Sequence, residues 1–206
     1  NEEILAAYAA DTAGTVIIDT DAKLTVSGTI TSGEANTLDA KTSGVITATI
    51  STQTIADLDD LTSTNNAYTI TVADSQVTAA ALNTVNAATT VNVTATAVTQ
   101  ITGSAAQLAT TYGGGITGLG NETIVLTDTT LAAATLTPTV NNYSTTAVNA
   151  NSVTTLTGTN EEILAAYAAD TAGTVIIDTD AKLTVSGTIT SGEANTLDAK
   201  TSGVIT

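Results

Sequence analysis

Alternation of apolar and polar residues is the clearest signal along this chain. In residues 91–97 the odd positions are Val or Ala and the even positions are Asn or Thr. This period of two predicts a strand with one buried and one wet face. Extended runs of this kind lie at residues 24–30, 45–50, 68–72, 91–97, 123–127 and 147–153.

Short helices are predicted between these strands. Capping boxes of the form S/T-x-x-E/Q stand at residues 31–34, 104–107 and 159–162. In such a box a side-chain oxygen accepts from an orphan backbone N–H, so each box predicts a helix start. Ile163, Leu164 and Tyr167 then predict one buried stripe on their helix, as do Ile55, Leu58 and Leu61 on theirs. Pro138 is expected to shorten its helix.

A strand and a short helix that recur without hairpin signals predict parallel strand pairing through right-handed crossovers. The fold expected is therefore a repeat solenoid of parallel strand-plus-short-helix (α/β) rungs, about six in each long repeat. Thr, Val and Ala also suit stacked strands, so an all-β solenoid is the alternative.

A long repeat sets the domain organisation, because residues 1–47 return unchanged as residues 160–206. The period is 159 residues, and the chain is expected to be one continuous solenoid window, 1–206, from a longer tandem array. Within it we distinguish modules of about 24–67, 68–122 and 123–182.

Three segments resemble a known group of proteins. "ITGSAAQLATTY", "LTGTNEEILAAYAAD" and "VTAAALNTVNAATT" are similar to the repeats of giant tandem-repeat cell-surface proteins of cyanobacteria, and of other Thr- and Ala-rich bacterial surface repeat proteins. The resemblance implies a secreted, cell-surface or filament-forming protein with no catalytic residues to carry over.

Composition and charge argue against several classes of binding partner and of enzyme chemistry. The net charge of -16 and the absence of Arg disfavour nucleic acid and anionic membranes, and no apolar run is long enough to span a bilayer. Without His or Cys there is no Ser-His-Asp relay, thiol nucleophile or typical zinc site, so no enzyme is expected.

Calcium is the one ligand suggested by the residues. Asp19 and Asp21 alternate beside a strand and recur as Asp178 and Asp180, and Asp170 precedes the second pair. Hard carboxylate oxygens are the ligands that Ca²⁺ takes. An acidic turn that binds nothing is the alternative.

Thr-x-Thr elements at residues 47–49, 69–71 and 94–96 are expected to stack on an outward face. This invites an ice-binding interpretation, although Thr also suits any wet strand face.

The main functional expectation is a structural rod, fibre or coat on the outside of a microbe. Its partners are neighbouring repeats or other copies in a filament or surface layer. The alternative is an adhesin stalk or a calcium-responsive surface binding protein.

Overall fold

The computed structural model describes all of residues 1–206 and has a mixed α/β architecture. The helices are α1 Glu2–Thr12, α2 Ser32–Asp39, α3 Ile55–Leu58, α4 Ala79–Ala87, α5 Ala105–Thr111, α6 Ala133–Leu136, α7 Asn160–Thr171 and α8 Ser191–Asp198. The strands are β1 Leu24–Ile30, β2 Ile46–Ile50, β3 Ala67–Thr69, β4 Gln76–Thr78, β5 Val93–Thr94, β6 Gln100–Gly103, β7 Ile116–Thr117, β8 Thr123–Leu126, β9 Thr130–Ala132, β10 Val148–Ala150, β11 Thr155–Gly158, β12 Val175–Ile177 and β13 Lys182–Val185.

Every strand pairing is parallel, which confirms that part of the prediction. Parallel neighbours need a crossover connection, and short helices supply most of these connections. The four sheets have the strand orders β1-β2-β3, β12-β10-β8-β6-β4, β13-β11-β9 and β5-β7.

The chain divides into two compact units. The first comprises Asn1–Ser75, Ala80–Val98 and Gly114–Gly118, and the second comprises Gln76–Ala79, Thr99–Gly113 and Leu119–Thr206. The first unit holds the sheets β1-β2-β3 and β5-β7. The second holds the other two sheets.

The core of each unit is built from apolar side chains stacked in register. In the first unit Ile30 pairs with Ile50, and both are buried. In the second unit Leu131, Leu156 and Leu183 align across three strands and are all buried. Because parallel strands lie about 4.8 Å apart, identical branched side chains at one register position pack directly on one another.

All three predicted capping boxes are formed. In each, the Ser or Thr side chain accepts the N3 backbone N–H and the Glu or Gln side chain accepts the N-cap N–H. A segment that follows the helix caps two helices, α5 in addition to its capping box and α3, whose N-cap Thr54 makes no capping hydrogen bond. Asp128 accepts the N–H of Ala105 at 2.8 Å, and Asp74 accepts that of Ile55 at 2.6 Å. The helices are thereby fixed to the segments that follow them.

Several details of the predicted pattern are wrong. The runs expected at residues 68–72 and 147–153 form only the short strands Ala67–Thr69 and Val148–Ala150. The strand expected at residues 91–97 is only Val93–Thr94. The alternation predicted that Val91 and Ala97 are buried like Val93 and Ala95, but both are exposed. Leu164 is only half-buried, and Ala166 is fully buried in the stripe beside Ile163 and Tyr167. Helix α7 therefore buries the small side chain of Ala166 rather than that of Leu164, because a neighbouring element packs closely there.

Several strands were not predicted, since they are short and lead almost directly into helices. β4, β6, β9 and β11 each end within two residues of a helix start. Pro138 lies two residues after the end of α6 at Leu136, in agreement with the expected shortening.

The repeated sequence folds in two different surroundings. Residues 160–206 follow α6, β10 and β11, and Ile163 is fully buried there. The equivalent residue in the first copy, Ile4, is only half-buried. The same side chain thus differs in burial because of its neighbours alone.

This difference predicts unequal effects of one substitution. We expect Ile163→Ala to cost about 2 to 5 kcal/mol of unfolding free energy, because it opens a cavity in a packed core. Ile4→Ala removes the same atoms from a half-exposed site and should cost clearly less. Urea unfolding of both variants, followed by far-UV circular dichroism, measures the difference. Equal costs would contradict the burial assigned to Ile163.

Candidate functional site

The predicted calcium residues lie in two exposed turns that have the same local structure. In the first copy the Asp19 carboxylate accepts the backbone N–H of Asp21 at 3.4 Å, and both residues are exposed. In the second copy Asp178 and Asp180 repeat this contact at 3.4 Å, with Asp178 half-buried. Each pair of carboxylates is therefore local to its own turn.

The third acid expected near the second turn has another role. Asp170 accepts the backbone N–H of Ile177 at 3.0 Å, and its equivalent Asp11 accepts that of Ile18 at 2.9 Å. These carboxylates fix the loop between helix and strand. No group of three or more acidic side chains that could hold a metal ion is found in the chain. Calcium binding at Asp19, Asp21, Asp178 and Asp180 stays a prediction that rests on two carboxylates in each turn.

A buried carboxylate, Glu122, lies at the centre of a polar cluster in the second unit. Glu122 is fully buried and accepts the backbone N–H groups of Gly120 at 2.8 Å and Asn121 at 3.0 Å. It also accepts the hydroxyl of Tyr112, whose ring stacks on Tyr143 with centroids 4.5 Å apart. Because all these donors belong to the chain, we interpret Glu122 as an anchor for the glycine-rich loop.

The first unit has a related polar centre at Asn66. Its side-chain oxygen accepts the N–H of Ile46 at 2.7 Å, and its amide donates to Asp39 at 2.8 Å and to the Tyr68 hydroxyl at 2.9 Å. Asn66 is 1% exposed. Sequence reasoning missed both centres, because an isolated Asn or Glu in a polar loop carries no signal of burial. A tyrosine near each acid or amide was the only available hint.

Threonines of the first unit line up across its strands, but not in the register that the Thr-x-Thr pattern predicted, since Thr47 pairs with Ala67 and it is Thr49 that pairs with Thr69. Thr49 pairs with Thr29 on one side and with Thr69 on the other. Thr94 pairs with Thr71 and with Thr117 in the same way. These two rows, which we call the threonine rows, place hydroxyl and methyl groups at the regular spacing of about 4.8 Å between strands.

One open groove of about 400 Å³ lies in the second unit between α6 and α7. Its walls are Ala133, Ala134, Thr137, Pro138 and Ala165, with the two acids Glu161 and Glu162 beside them. No pair of side chains there converges on a point where a reaction could be assigned.

None of the helices has both the length and the hydropathy needed to cross a bilayer. Comparison of the chain with protein-family models, with curated proteins and with solved structures found no match.

Buried Tyr68 and half-buried Tyr112 predict unusual behaviour at alkaline pH. Burial raises the pKa of Tyr68 from 10.0 to about 12, and nearby Asp39 adds to the rise, while the Asn66 hydrogen bond opposes it. Burial, followed by the hydrogen bond and charge of Glu122, raises the pKa of Tyr112 further. The folded chain holds these protons more tightly than the unfolded chain. Their contribution to stability is therefore complete below about pH 10 and is lost as the pH rises through the folded-state pKa values.

We expect tyrosinate absorbance of the native chain to keep rising well above pH 10, whereas the chain in denaturant titrates near 10. Tyr112→Phe should remove the latest part of the native curve. Native and denatured curves that coincide would show that Tyr68 and Tyr112 are not buried as described.

Proposed function

We propose that this chain is part of a structural tandem-repeat protein, a right-handed α/β solenoid that forms an extracellular rod, fibre or surface coat of a microbe. The pairing of β10 carries the proposal. This strand pairs in parallel with β8 and with β12, and each partner is separated from it along the chain by one other strand and one α-helix. A pattern in which every second strand pairs on both sides extends along one axis without a built-in end.

The exact sequence repeat supports the same proposal. Residues 160–206 rebuild the capping box, the helix and the acidic turn that residues 1–47 contain, including equivalent hydrogen bonds. A sequence that forms the same local structure beside different neighbours suits an array of many copies. The resemblance to tandem-repeat surface proteins of cyanobacteria agrees with this proposal.

Charge and composition favour a location outside the cell. The net charge of -16 keeps extended chains apart, and the absence of Cys removes any dependence on the redox state of the surroundings. An adhesin stalk, or a calcium-responsive surface binding protein, is the alternative within the same architecture. A few periods joined to a dissimilar ligand-binding domain would favour that alternative over a coat.

The proposal predicts that stability rises with the number of periods. Chains of one, two and three 159-residue periods should melt at progressively higher temperature, because each added period gives previously terminal elements a neighbour. Differential scanning calorimetry measures the midpoints. Each period contains six helices, and each helix accompanies one step of about 4.8 Å between paired strands. Small-angle scattering should therefore show a particle that is roughly 29 Å longer for each added period.

The matched control is a three-period chain with Ile163→Asp at every internal junction. We expect it to melt near the one-period chain, since each junction is then broken. Equal midpoints for one, two and three unaltered periods would mean independent globular domains and would end the solenoid proposal.

The threonine rows favour a second candidate function, binding to an ordered surface such as ice. Two in-register rows of Thr on parallel strands, exposed except for half-buried Thr94, form a regular array of methyl and hydroxyl groups. Adjacent positions within a strand face, as in Thr47 and Thr49, repeat at about 6.6 to 6.8 Å.

For this candidate we expect measurable thermal hysteresis or inhibition of ice recrystallisation by the native chain. Thr49→Lys places a bulky charge in the middle of one row and should abolish the activity. Thr157→Lys changes a strand threonine outside the rows and serves as the matched control. Identical freezing behaviour of native chain and buffer would remove this candidate.

A further inference from the structure

The groove between α6 and α7 exists because the two helices differ in length. Helix α6 has only four residues, since Pro138 has no N–H to donate to the carbonyl of Ala134, whereas α7 has twelve. At about 1.5 Å per residue, α7 is longer by roughly 12 Å. The exposed side chains of Ala134 and Ala165 are too small to fill the space between the helices. We call this space, of about 400 Å³, the α6–α7 groove.

Two carboxylates border the α6–α7 groove, and no cationic side chain lines it. Glu161 is exposed. Glu162 is half-buried, and its capping box uses the Oε2 atom, which accepts the N–H of Thr159 at 2.8 Å. Apolar walls beside carboxylates suit a cation with an aliphatic chain, because the chain is removed from water while the charge meets an opposite charge.

The capping-box carboxylates of two other helices show what kind of donor such a group takes. In α2, Glu34 accepts from the side-chain amide of Asn1 at 2.7 Å, and in α8, Glu193 accepts from that of Asn160 at 3.1 Å. In both cases the donor lies at the start of the preceding helix. Helix α6, which precedes α7, has the sequence Ala-Ala-Thr-Leu and offers no amide or cationic side chain. Glu162 is therefore open to a donor from another molecule.

Four lysines are the only cationic side chains of the chain, and all four are exposed. They are Lys23, Lys41, Lys182 and Lys200. Lys182 repeats Lys23, and Lys200 repeats Lys41. Lys23 is exposed beside β1, which pairs with the following strand β2, and Lys182 is exposed in β13, which pairs with the preceding strand β11. Since neither neighbour buries this lysine, it stays accessible within an array.

We propose that the α6–α7 groove is a docking site for a lysine side chain of a second copy of this chain, and that this contact joins molecules side by side. The aliphatic part of the lysine lies against Ala134, Pro138 and Ala165, and its ammonium group lies between Glu161 and Glu162. This inference rests on the proposed function, because a coat or a fibre of several rods needs a contact between the sides of the rods.

Repetition strengthens a contact that is weak by itself. One exposed ion pair contributes little, but in the proposed array both the groove and the lysines recur every 159 residues. Two parallel rods that form the contact once therefore form it in every period, which raises the avidity. The negative net charge opposes close approach elsewhere and so confines the contact to the groove. Because groove and lysine are different surfaces, the contact does not close on itself and extends into a layer.

The first test separates docking from general repulsion. Glu161→Lys replaces a negative charge with a positive one, so the net charge of -16 becomes less negative by two charges and repulsion between molecules falls. We nevertheless expect self-association to require at least about threefold higher concentration, the effect of losing one exposed ion pair. Sedimentation equilibrium at concentrations up to about 1 mM, which suits a Kd of that order, measures the association.

The matched control makes the same charge change away from the groove. Asp59 is an exposed acid of the first unit, and Asp59→Lys should associate at the same concentration as the native chain or at a lower one. A native chain that remains monomeric throughout, or a Glu161→Lys chain that associates as readily as Asp59→Lys, would overturn the proposal.

The second test fills the groove without changing any charge. Ala165→Leu places a larger side chain where the lysine is expected and should weaken self-association. Ala168→Leu makes the same change at an exposed position of α7 that does not line the groove, and it should have no effect. Leu is a good helix former, so both variants are expected to fold, which far-UV circular dichroism checks. Equal association of the two variants would contradict docking in the groove.

The third test identifies the two side chains in contact. A carbodiimide joins a lysine amine to a carboxylate that touches it, with loss of one water molecule. In a mixture of unlabelled and ¹⁵N-labelled chains, we expect the most abundant cross-links between molecules to join a lysine to Glu161 or Glu162. Peptide mass spectrometry locates the cross-links. An even spread over the exposed acids would mean that the groove has no preference for lysine.

A small amine distinguishes a second copy from a free ligand. n-Butylammonium chloride has the chemistry of the end of a lysine side chain and should dissociate the native chain more effectively than NaCl at equal ionic strength. If n-butylammonium shifts the amide resonance of Ala165 but self-association does not depend on Glu161, the groove binds free amines and the second copy is ruled out as its occupant.

The outcomes separate this inference from the proposed function. If the melting temperature rises with the number of periods but Glu161→Lys and Asp59→Lys associate alike, the rod stands and the lateral contact is lost. If the melting temperature does not rise but the groove variants weaken association, the contact stands between independent domains and the rod is lost.

Discussion

Threonine hydroxyl groups in the turns join neighbouring passes of the chain, and the rest of the structure depends on them. Thr42 donates to the carbonyl of Ala22 at 2.6 Å, Thr89 to that of Tyr68 at 2.7 Å, and Thr201 to that of Ala181 at 2.7 Å. In each case the acceptor carbonyl lies in a strand or in the turn next to it. A later strand must align with that strand or turn. A backbone carbonyl left unpaired in this thin interior would cost free energy, so the hydroxyl fixes the start of each parallel pairing.

This arrangement explains why the chain manages with few bulky side chains. Aromatic residues make up only 2% of it, and its core consists of Val, Ile, Leu and Ala stacked at one register position after another. Close layers leave no room for wide side chains, and polar turns are stabilised by hydrogen bonds instead. Where the loop is glycine-rich, the Glu122 carboxylate accepts two backbone N–H groups instead.

The sequence predicted the parts of the fold that local chemistry decides. The boxes beginning at Thr31, Ser104 and Thr159 marked helix starts, and alternation marked β1 closely. The sequence could not predict the burial of side chains that depends on residues distant along the chain. Asn66 is held by Ile46 and Asp39, and Glu122 by Tyr112, all distant in the sequence. Ile17 and Ile176 differ in exposure although their local sequences are the same. The paired aspartates were found from spacing, whereas the loop-closing role of Asp170 needed the position of Ile177.

The matching turns at residues 11–22 and 170–181 bear on how a gene for such a chain can change. Where the coding segments of the two copies are also identical, a crossover between them adds or removes 159 residues. Every junction made in this way joins residue 159 to a segment that begins like residue 160, so each new protein contains only contacts that the parent already makes. In the proposed array, the number of periods could therefore change while the geometry of each junction stays the same.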